Sequence, residues 1–148
     1  MRQINYAMRF SGQANPASPD GSVLHASTSS PSTTITSRVD ADGLTGTIEA
    51  IAGGEATFTS EVTFTTEHDF LETGTITFGA GNTLHFSTVG SGYLAPSADP
   101  ERQHGVVMWR IDRGEGQFTG ATGLITSNFF VDGQLQVTDH HFGVILLP

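Results

Sequence analysis

Hydrophobic and polar residues alternate along most of this chain with a period of two, which is the pattern of a β-strand with one buried face. Residues 56–66 show it most clearly, with one face made of Phe58, Ser60, Val62 and Phe64. The same alternation predicts strands at 3–12, 33–39, 44–52, 69–78 and 84–93. Three apolar runs near the end of the chain add strands at 105–111, 121–131 and 135–147.

Short segments that contain glycine separate these strands and indicate tight turns. Asp20-Gly21, Asp42-Gly43 and Gly53-Gly54 predict three of them, and residues 79–82 predict a hairpin loop. Residues 25–32 are rich in serine and threonine and weakly patterned, so we expect them to form a mobile flap.

The number of strands predicts an all-β fold that occupies residues 1–148 as a single domain. About eight or nine short strands joined by turns are typical of a barrel or a sandwich. The last strand is apolar on both faces towards its end, which an open sheet edge would not tolerate. We therefore expect a single closed antiparallel barrel of about eight strands, with room inside for one small ligand.

Charge and composition exclude several classes of function. The chain carries a net charge of −9, with six arginines and no lysine, so we expect no nucleic acid partner. It has no cysteine, which excludes disulfides and thiolate chemistry and fits a reducing compartment. The first ten residues contain no long apolar run, so we expect neither a signal peptide nor a membrane segment, and we predict a cytoplasmic protein.

One glycine-rich segment resembles a known family. Residues 114–123 read Gly-Glu-Gly-Gln-Phe-Thr-Gly-Ala-Thr-Gly. They are similar to a G-x-G-x-F-x-G-A-x-G hairpin of the allene oxide cyclase-like barrels, a group that includes plant dirigent proteins and many small bacterial proteins. The resemblance implies an eight-stranded barrel in which Phe118 plugs one end. It also implies an apolar substrate that is steered through cyclisation or coupling, although no catalytic residue of the family is carried over to this chain.

Glu72 is the first candidate for chemistry. The period-two pattern places it on the same face as Phe70, Ile76 and Phe78. A carboxyl group inside an apolar barrel loses hydration, which raises its pKa towards the range useful in general acid–base catalysis. The alternative is a bulge at Gly74 that turns Glu72 out to solvent.

The segment Asp139-His140-His141 is the second candidate. Neighbours on a strand point to opposite faces, so Asp139 and His141 share one face and His140 lies on the other. An inward Asp–His pair can act as a base and the group that orients it. The alternative, a structural histidine held by hydrogen bonds, is favoured because no nucleophile is identifiable nearby.

Arg110 and several aromatic residues complete the candidate site. An inward Arg110 would pair with Glu72 or Asp139, whereas an outward one would be an ordinary surface charge. Aromatic side chains suit the walls of a site for an apolar ligand with one polar end. The expected wall residues are Tyr6, Phe64, Phe70, Phe86, Tyr93, Trp109 and Phe129.

The sequence predicts no metal and no cofactor. Its scattered histidines have no spacing that demands a metal site: His68, His85, His104, His140 and His141. The glycines of 114–123 do not open a helix after a strand, as a dinucleotide site requires.

The sequence supports three hypotheses for function. The first is a cofactor-independent enzyme that binds an apolar polyketide, terpenoid or lipid-like molecule and promotes cyclisation, isomerisation or elimination. The second is a protein that binds a small apolar ligand without chemistry. The third is a structural barrel filled by its own side chains. The outward apolar residues suggest a homo-oligomer whose interface includes Val106, Met108, Val144 and Leu146.

Overall fold

A computed structural model describes residues 1–148 as one antiparallel sheet of nine strands. The strands are β1 (Arg2–Pro16), β2 (Val23–Asp40), β3 (Gly43–Phe64), β4 (Asp69–Phe78), β5 (Thr83–Thr88), β6 (Gly92–Pro96), β7 (Arg102–Glu115), β8 (Thr122–Asp132) and β9 (Gln136–Leu147). The all-β prediction is confirmed. No helix in the structure is long and apolar enough to span a membrane.

The strand pairings run round a ring. β1 pairs with β2 on one side and with β9 on the other, and β3 pairs with both β2 and β4. The short strands β5 and β6 both lie between β4 and β7, and β8 joins β7 to β9. The last strand therefore has a hydrogen-bonding partner on each side and is not an open sheet edge.

The core fills the middle of the ring with large apolar side chains. Trp109, Ile125 and Ile145 have no exposed surface, and Phe58 packs against Phe86 and Trp109 with ring centroids 5.5 Å apart in each case. These residues come from strands far apart in sequence. In each strand, the alternation with a period of two places apolar side chains on one face. The arrangement of the strands in a ring then brings these apolar faces together.

The glycine-rich segment 114–123 forms the connection between β7 and β8. Gly116–Phe118 is a single 3₁₀ turn, and Phe118 is buried against Phe78. Gly116 and Gly120 have φ values of 65° and 77°, which favour glycine. The glycines thus make a tight turn, and the phenylalanine packs into the core beside it.

Two expectations about β2 and β3 are wrong. Residues 25–32 are not a mobile flap but part of β2, where Thr28 and Ser30 are buried between β1 and β3. Gly53-Gly54 is not a turn, because β3 runs through it. The register shifts between Pro31 and Thr33, and Gly54 accepts a hydrogen bond of 2.8 Å from the Ser32 hydroxyl. The glycine pair accommodates a bulge in a long strand.

The expected strand at 84–93 is two strands in the structure. β5 ends at Thr88, and β6 begins at Gly92, with Gly90 between them at a φ of 69°. This break matters for the site, since β4 pairs with β5 through Thr73 and with β6 through Phe70, which leaves Glu72 at the junction.

Candidate functional site

A cavity of about 630 Å³ opens at one end of the ring. Its apolar lining residues include Val62, Phe64, Phe70, Leu94 and Phe129. Five carboxyl groups also line it: the buried Glu72 and Asp139, and those of Asp99, Glu101 and Asp132, which accompany Arg102. A cavity of this size that combines apolar walls with polar groups is typical of a site for a small molecule.

β4 directs the Glu72 side chain into the ring. Phe70, Glu72 and Ile76 are all buried on one face of the strand. There is no bulge at Gly74, which pairs in register with Ser60 on β3 and with Phe86 on β5. The backbone of Glu72 is held where β5 ends, because its N–H donates to the Thr88 hydroxyl at 2.7 Å. The structure thus places Glu72 inward, as the sequence alternation predicts.

Burial dominates the acidity of Glu72. Loss of hydration raises the pKa of its carboxyl group from 4.5 to about 8, and repulsion by Asp139 adds to the rise. Hydrogen bonds act in the opposite direction, since the Ser60 hydroxyl donates to Oε2 at 2.6 Å and the Trp109 indole N–H donates to Oε1 at 3.2 Å. At neutral pH the group is therefore mostly a neutral carboxylic acid that faces an apolar cavity.

Asp139 carries a second set of buried hydrogen bonds. The Ser127 hydroxyl donates to its Oδ1 at 2.5 Å, and Nε2 of His141 lies 2.9 Å from its Oδ2. All three side chains are buried, on the neighbouring strands β8 and β9. Each of the two buried carboxyl groups is thus held by one serine and by one ring nitrogen, which belongs to Trp109 for Glu72 and to His141 for Asp139.

His141 lies behind Asp139 and does not line the cavity. Its side chain has no exposed surface and is surrounded by aromatic rings, with Phe10 stacked at 4.3 Å and Trp109 edge-on at 5.1 Å. Nδ1 has no hydrogen-bond partner. With Nε2 engaged by Asp139 and no exposure to the cavity, His141 is placed to orient Asp139 and not to touch a ligand.

Tyr6 is close to this network but outside the cavity wall. Its ring packs edge-on against Phe78 at 5.1 Å, and its buried hydroxyl has no hydrogen-bond partner. Burial, with a further contribution from Asp139, raises the pKa of the Tyr6 hydroxyl, so it stays protonated. The sequence predicts Tyr6 in the wall of the site, but the structure places it outside the cavity wall.

The structure corrects the placement of two other residues. Arg110 does not point inward: its side chain is 61% exposed and pairs with Asp112 at 3.0 Å on the outer surface. The neighbouring Trp109 points inward, and strand alternation therefore turns Arg110 outward. Tyr93 is also on the surface, 46% exposed and beside His68.

The remaining wall candidates divide into two groups. Phe64, Phe70 and Phe129 line the cavity. Phe86 and Trp109 lie deeper in the core, with their rings tilted by 36° and their centroids 4.5 Å apart. Of these two, Trp109 reaches the site through its indole N–H bond to Glu72.

Sequence reasoning missed the two serines that hold the carboxyl groups. Ser60 lies directly between Phe58 and Val62 on the inward face of β3, and Ser127 lies two residues after the buried Ile125 on β8. The sequence does contain a signal for these residues, namely a serine on an otherwise apolar strand face. A buried hydroxyl group requires a hydrogen-bond partner, so such a serine indicates a polar group nearby.

The histidines do not assemble into a metal site. The structure contains no group of three or more histidine, aspartate or glutamate side chains arranged to hold a metal ion. His85 instead lies 2.7 Å from Glu115, and His140 lies on the outer face beside the Asn128 carbonyl at 3.3 Å.

Comparison of the chain with family models, with curated proteins and with solved structures found no match. The function of the chain is therefore inferred from the residues of the cavity.

Proposed function

We propose that this chain is a cofactor-independent enzyme that holds a small apolar molecule in the cavity and promotes its cyclisation, isomerisation or elimination. The observation that carries the proposal is Glu72, a buried carboxyl group with a pKa of about 8 that faces apolar walls next to a second carboxyl group. A group poised near the working pH is well suited to transfer protons.

Glu72 and Asp139 have complementary roles in this proposal. The neutral Glu72 donates its proton to a polar or unsaturated atom of the substrate, and the Asp139 carboxylate accepts a proton from a carbon or oxygen on another part of it. One proton enters the substrate and one leaves, so an isomerisation or cyclisation is balanced without a redox partner. Proton return between the two carboxyl groups, directly or through solvent, restores the starting state.

The surrounding side chains supply orientation. Ser60 and Trp109 hold both oxygens of Glu72, and Ser127 and His141 hold Asp139. Fixed donors and acceptors need little rearrangement as the reaction proceeds. Apolar walls such as Phe70 and Phe129 exclude water and select a folded conformer of a flexible substrate.

The proposal includes a closed barrel of the allene oxide cyclase-like type. The ring of strand pairings and the buried Phe118 in the glycine-rich turn support it. In such a barrel the cavity is the mouth of the ring, and its floor is the packed core under Glu72 and Asp139.

A binding protein without chemistry is the second candidate. It is favoured by the fact that both oxygens of Glu72 and both oxygens of Asp139 already have hydrogen-bond partners, as purely structural carboxyl groups would. A structural barrel filled by its own side chains has less support, because a filled interior would leave no cavity of about 630 Å³.

The test combines binding and proton transfer. Trp109 is the only tryptophan, so its fluorescence reports entry of each member of a panel of neutral polycyclic or polyunsaturated ketones. For the molecules that bind, NMR in D₂O follows isomerisation or deuterium incorporation. We expect Glu72→Gln to lower turnover by at least about 100-fold, because it removes the acid, while the dissociation constant changes little.

The matched control is Glu61→Gln on the neighbouring strand β3, where the carboxylate is 58% exposed beside His25. It should keep wild-type turnover. If Glu72→Gln retains turnover, the acid role is wrong. If wild type and Glu72→Gln bind the same molecules and neither changes them, the binding protein is the correct description.

A further inference from the structure

The charged side chains that line the cavity are almost all negative. Five carboxyl groups line it, whereas the chain has no lysine and only one of its six arginines, Arg102, lies there. Arg102 is already engaged, because its Nε lies 2.9 Å from Oδ2 of Asp99 and its guanidinium group lies 3.9 Å from the centre of the Phe130 ring. No arginine or lysine is therefore free to balance the carboxyl groups of the cavity.

The deep end of the cavity holds the two buried carboxyl groups, those of Glu72 and Asp139, which we call the buried pair. Each residue is no more than 6% exposed. The two groups repel each other, and this repulsion contributes to the raised pKa of Glu72. A positive charge beside them would remove the repulsion and would stabilise both carboxylates.

The strands around the buried pair supply no such charge. The side chains that β3, β5, β7 and β8 hydrogen-bond to it are uncharged, namely Ser60, Thr88, Trp109 and Ser127. Two titratable side chains remain near it, Tyr6 on β1 and His141 on β9. Tyr6 stays protonated and neutral. A protonated His141 would leave the N–H of Nδ1 without an acceptor inside the core, which disfavours the charged form.

Three phenylalanine rings form an aromatic wall of the same cavity. Phe70 packs edge-on against Phe64 and Phe129, with ring centroids 5.8 Å and 6.0 Å apart. The Phe70 ring lies against Gly92 and the Phe129 ring against Gly105, where any Cβ atom would overlap the ring, so both rings are held in place. A cation is attracted to an aromatic ring, most strongly where water is excluded. The aromatic wall therefore favours a positive charge, as the buried pair does.

We propose that the molecule that occupies this cavity carries a positively charged nitrogen, protonated or quaternary, on an apolar body. The nitrogen lies between Glu72 and Asp139, and the apolar body packs against the aromatic wall. This inference rests on the proposed function, because it takes the same cavity as the ligand site, and it names the class of substrate. A cation beside Glu72 also lowers the pKa of its carboxyl group, which makes Glu72 a stronger acid for the proposed reaction.

The mouth of the cavity supports the same sign of charge. Three carboxyl groups lie there, those of Asp99, Glu101 and Asp132. Arg102 is opposite Asp132 in the pairing of β7 with β8, yet its guanidinium group binds Asp99 instead. The mouth therefore keeps an excess of negative charge, which attracts cations and repels carboxylates and phosphates.

Three probes of similar size separate the effect of charge from that of shape. Benzyltrimethylammonium is the cation, neopentylbenzene is its neutral isostere, and phenylmethanesulfonate is the anion. The indole of Trp109, the only tryptophan, is bonded to Glu72, so its fluorescence measures the dissociation constant of each probe for the full chain. At pH 9 the cation should bind at least about tenfold more tightly than the isostere, and the anion should show no saturable binding.

The affinity for the cation should also increase with pH. Benzyltrimethylammonium does not titrate, so any dependence on pH belongs to the protein. Glu72 has a pKa of about 8, and its carboxylate attracts the cation whereas its protonated form does not. The affinity should therefore rise by about tenfold between pH 6.5 and pH 9, while that of the neutral isostere stays constant.

Substitutions assign the preference to the buried pair. Glu72→Gln should abolish the increase with pH and weaken binding of the cation at pH 9 by about tenfold, because the carboxylate is lost. Asp139→Asn should weaken binding at both pH values. The control is Glu61→Gln, which removes an exposed carboxylate outside the cavity and should change neither result. Circular dichroism checks that each variant is folded, and the pH comparison in wild type requires no substitution.

Two results would overturn the inference. One is a wild type that fails to bind the cation, or binds the neutral isostere as tightly at pH 9. The other is a preference for the cation that persists unchanged in both variants, since it would not come from the buried pair. Neither result decides the proposed reaction, which depends on the turnover of Glu72→Gln. A preference for the cation in a protein without turnover would uphold this inference and remove the enzyme.

Discussion

At the residue scale, the site depends on how two carboxyl groups are kept inside an apolar ring. A buried carboxyl group is tolerated when it is neutral or well bonded. Glu72 meets both conditions, with a pKa raised by burial and with hydrogen bonds from Ser60 and Trp109. Asp139 is instead supported by Ser127 and His141. Glu72 is therefore suited to donate a proton, and Asp139 is held in a fixed position beside it.

The bond between Trp109 and Glu72 gives a direct measurement of this acidity. The indole N–H lies 3.2 Å from Oε1, so ionisation of the carboxyl group places a charge beside the only tryptophan. We expect the fluorescence of wild type to change with a midpoint near pH 8. The transition should be absent in Glu72→Gln and preserved in Glu61→Gln. An unchanged transition in Glu72→Gln would assign it to another group.

At the scale of the element, β4 is positioned by contacts on both sides. It pairs with β3 from Phe70 to Phe78, and with β5 and β6 on its other edge. Gly74 lies at the closest approach. A Cβ atom there would come within 2.2 Å of the Thr59 carbonyl oxygen and 2.9 Å of the Phe86 ring. Because Gly74 has no side chain, β4 can pack closely against β3 and β5. This close packing holds the Glu72 side chain towards the inside of the ring.

Gly74→Ala should therefore destabilise the fold by about 1–3 kcal/mol, because backbone and core side chains must move to admit one methyl group. Gly54→Ala is the matched control, since nothing lies within 4 Å of its Cβ position. Urea unfolding of both variants measures the difference. Equal stability of the two variants would show that β4 is not tightly confined at this position.

At the scale of the whole molecule, the ring sets both the cavity and the electrostatics. It surrounds Glu72 and Asp139 with apolar side chains and places the exposed charges on the outside. A carboxyl group that stays protonated in the folded state, but ionises in the unfolded chain, links stability to pH.

Stability should consequently fall as the pH rises. Unfolded Glu72 ionises above its ordinary value of 4.5, whereas the folded protein holds the proton up to about 8. Between these values the unfolded state binds fewer protons, so raising the pH favours unfolding, by roughly 5 kcal/mol over the full interval. The stabilising contribution of Glu72 is fully present below pH 4.5 and is lost above about pH 8.

The measurement is the free energy of unfolding in urea from pH 5 to pH 8.5, for wild type and for Glu72→Gln. Subtracting the two curves removes the contribution of the other ionisable groups. As the pH rises, wild type should lose stability relative to Glu72→Gln, so the difference between their free energies of unfolding should shrink or reverse. A difference that stays constant with pH would contradict the raised pKa of Glu72.

The sequence by itself determined the strands and the face on which each candidate lies. Period-two alternation is local, so it placed Glu72 with Phe70 and Asp139 with His141 before any strand pairing was known. These conclusions need only the geometry of a single strand. For Arg110 the sequence left both directions open, and the structure placed it outside.

Only the tertiary structure decided which faces meet. Pairing between distant strands brought Glu72 and Asp139 to one cavity, although they are 67 positions apart in sequence. It also turned Gly53-Gly54 into a bulge instead of a turn, because β2 continues to pair with β3 beyond this point, as far as Asp40 and Gly43. Register and ring formation depend on contacts between strands that no local pattern specifies.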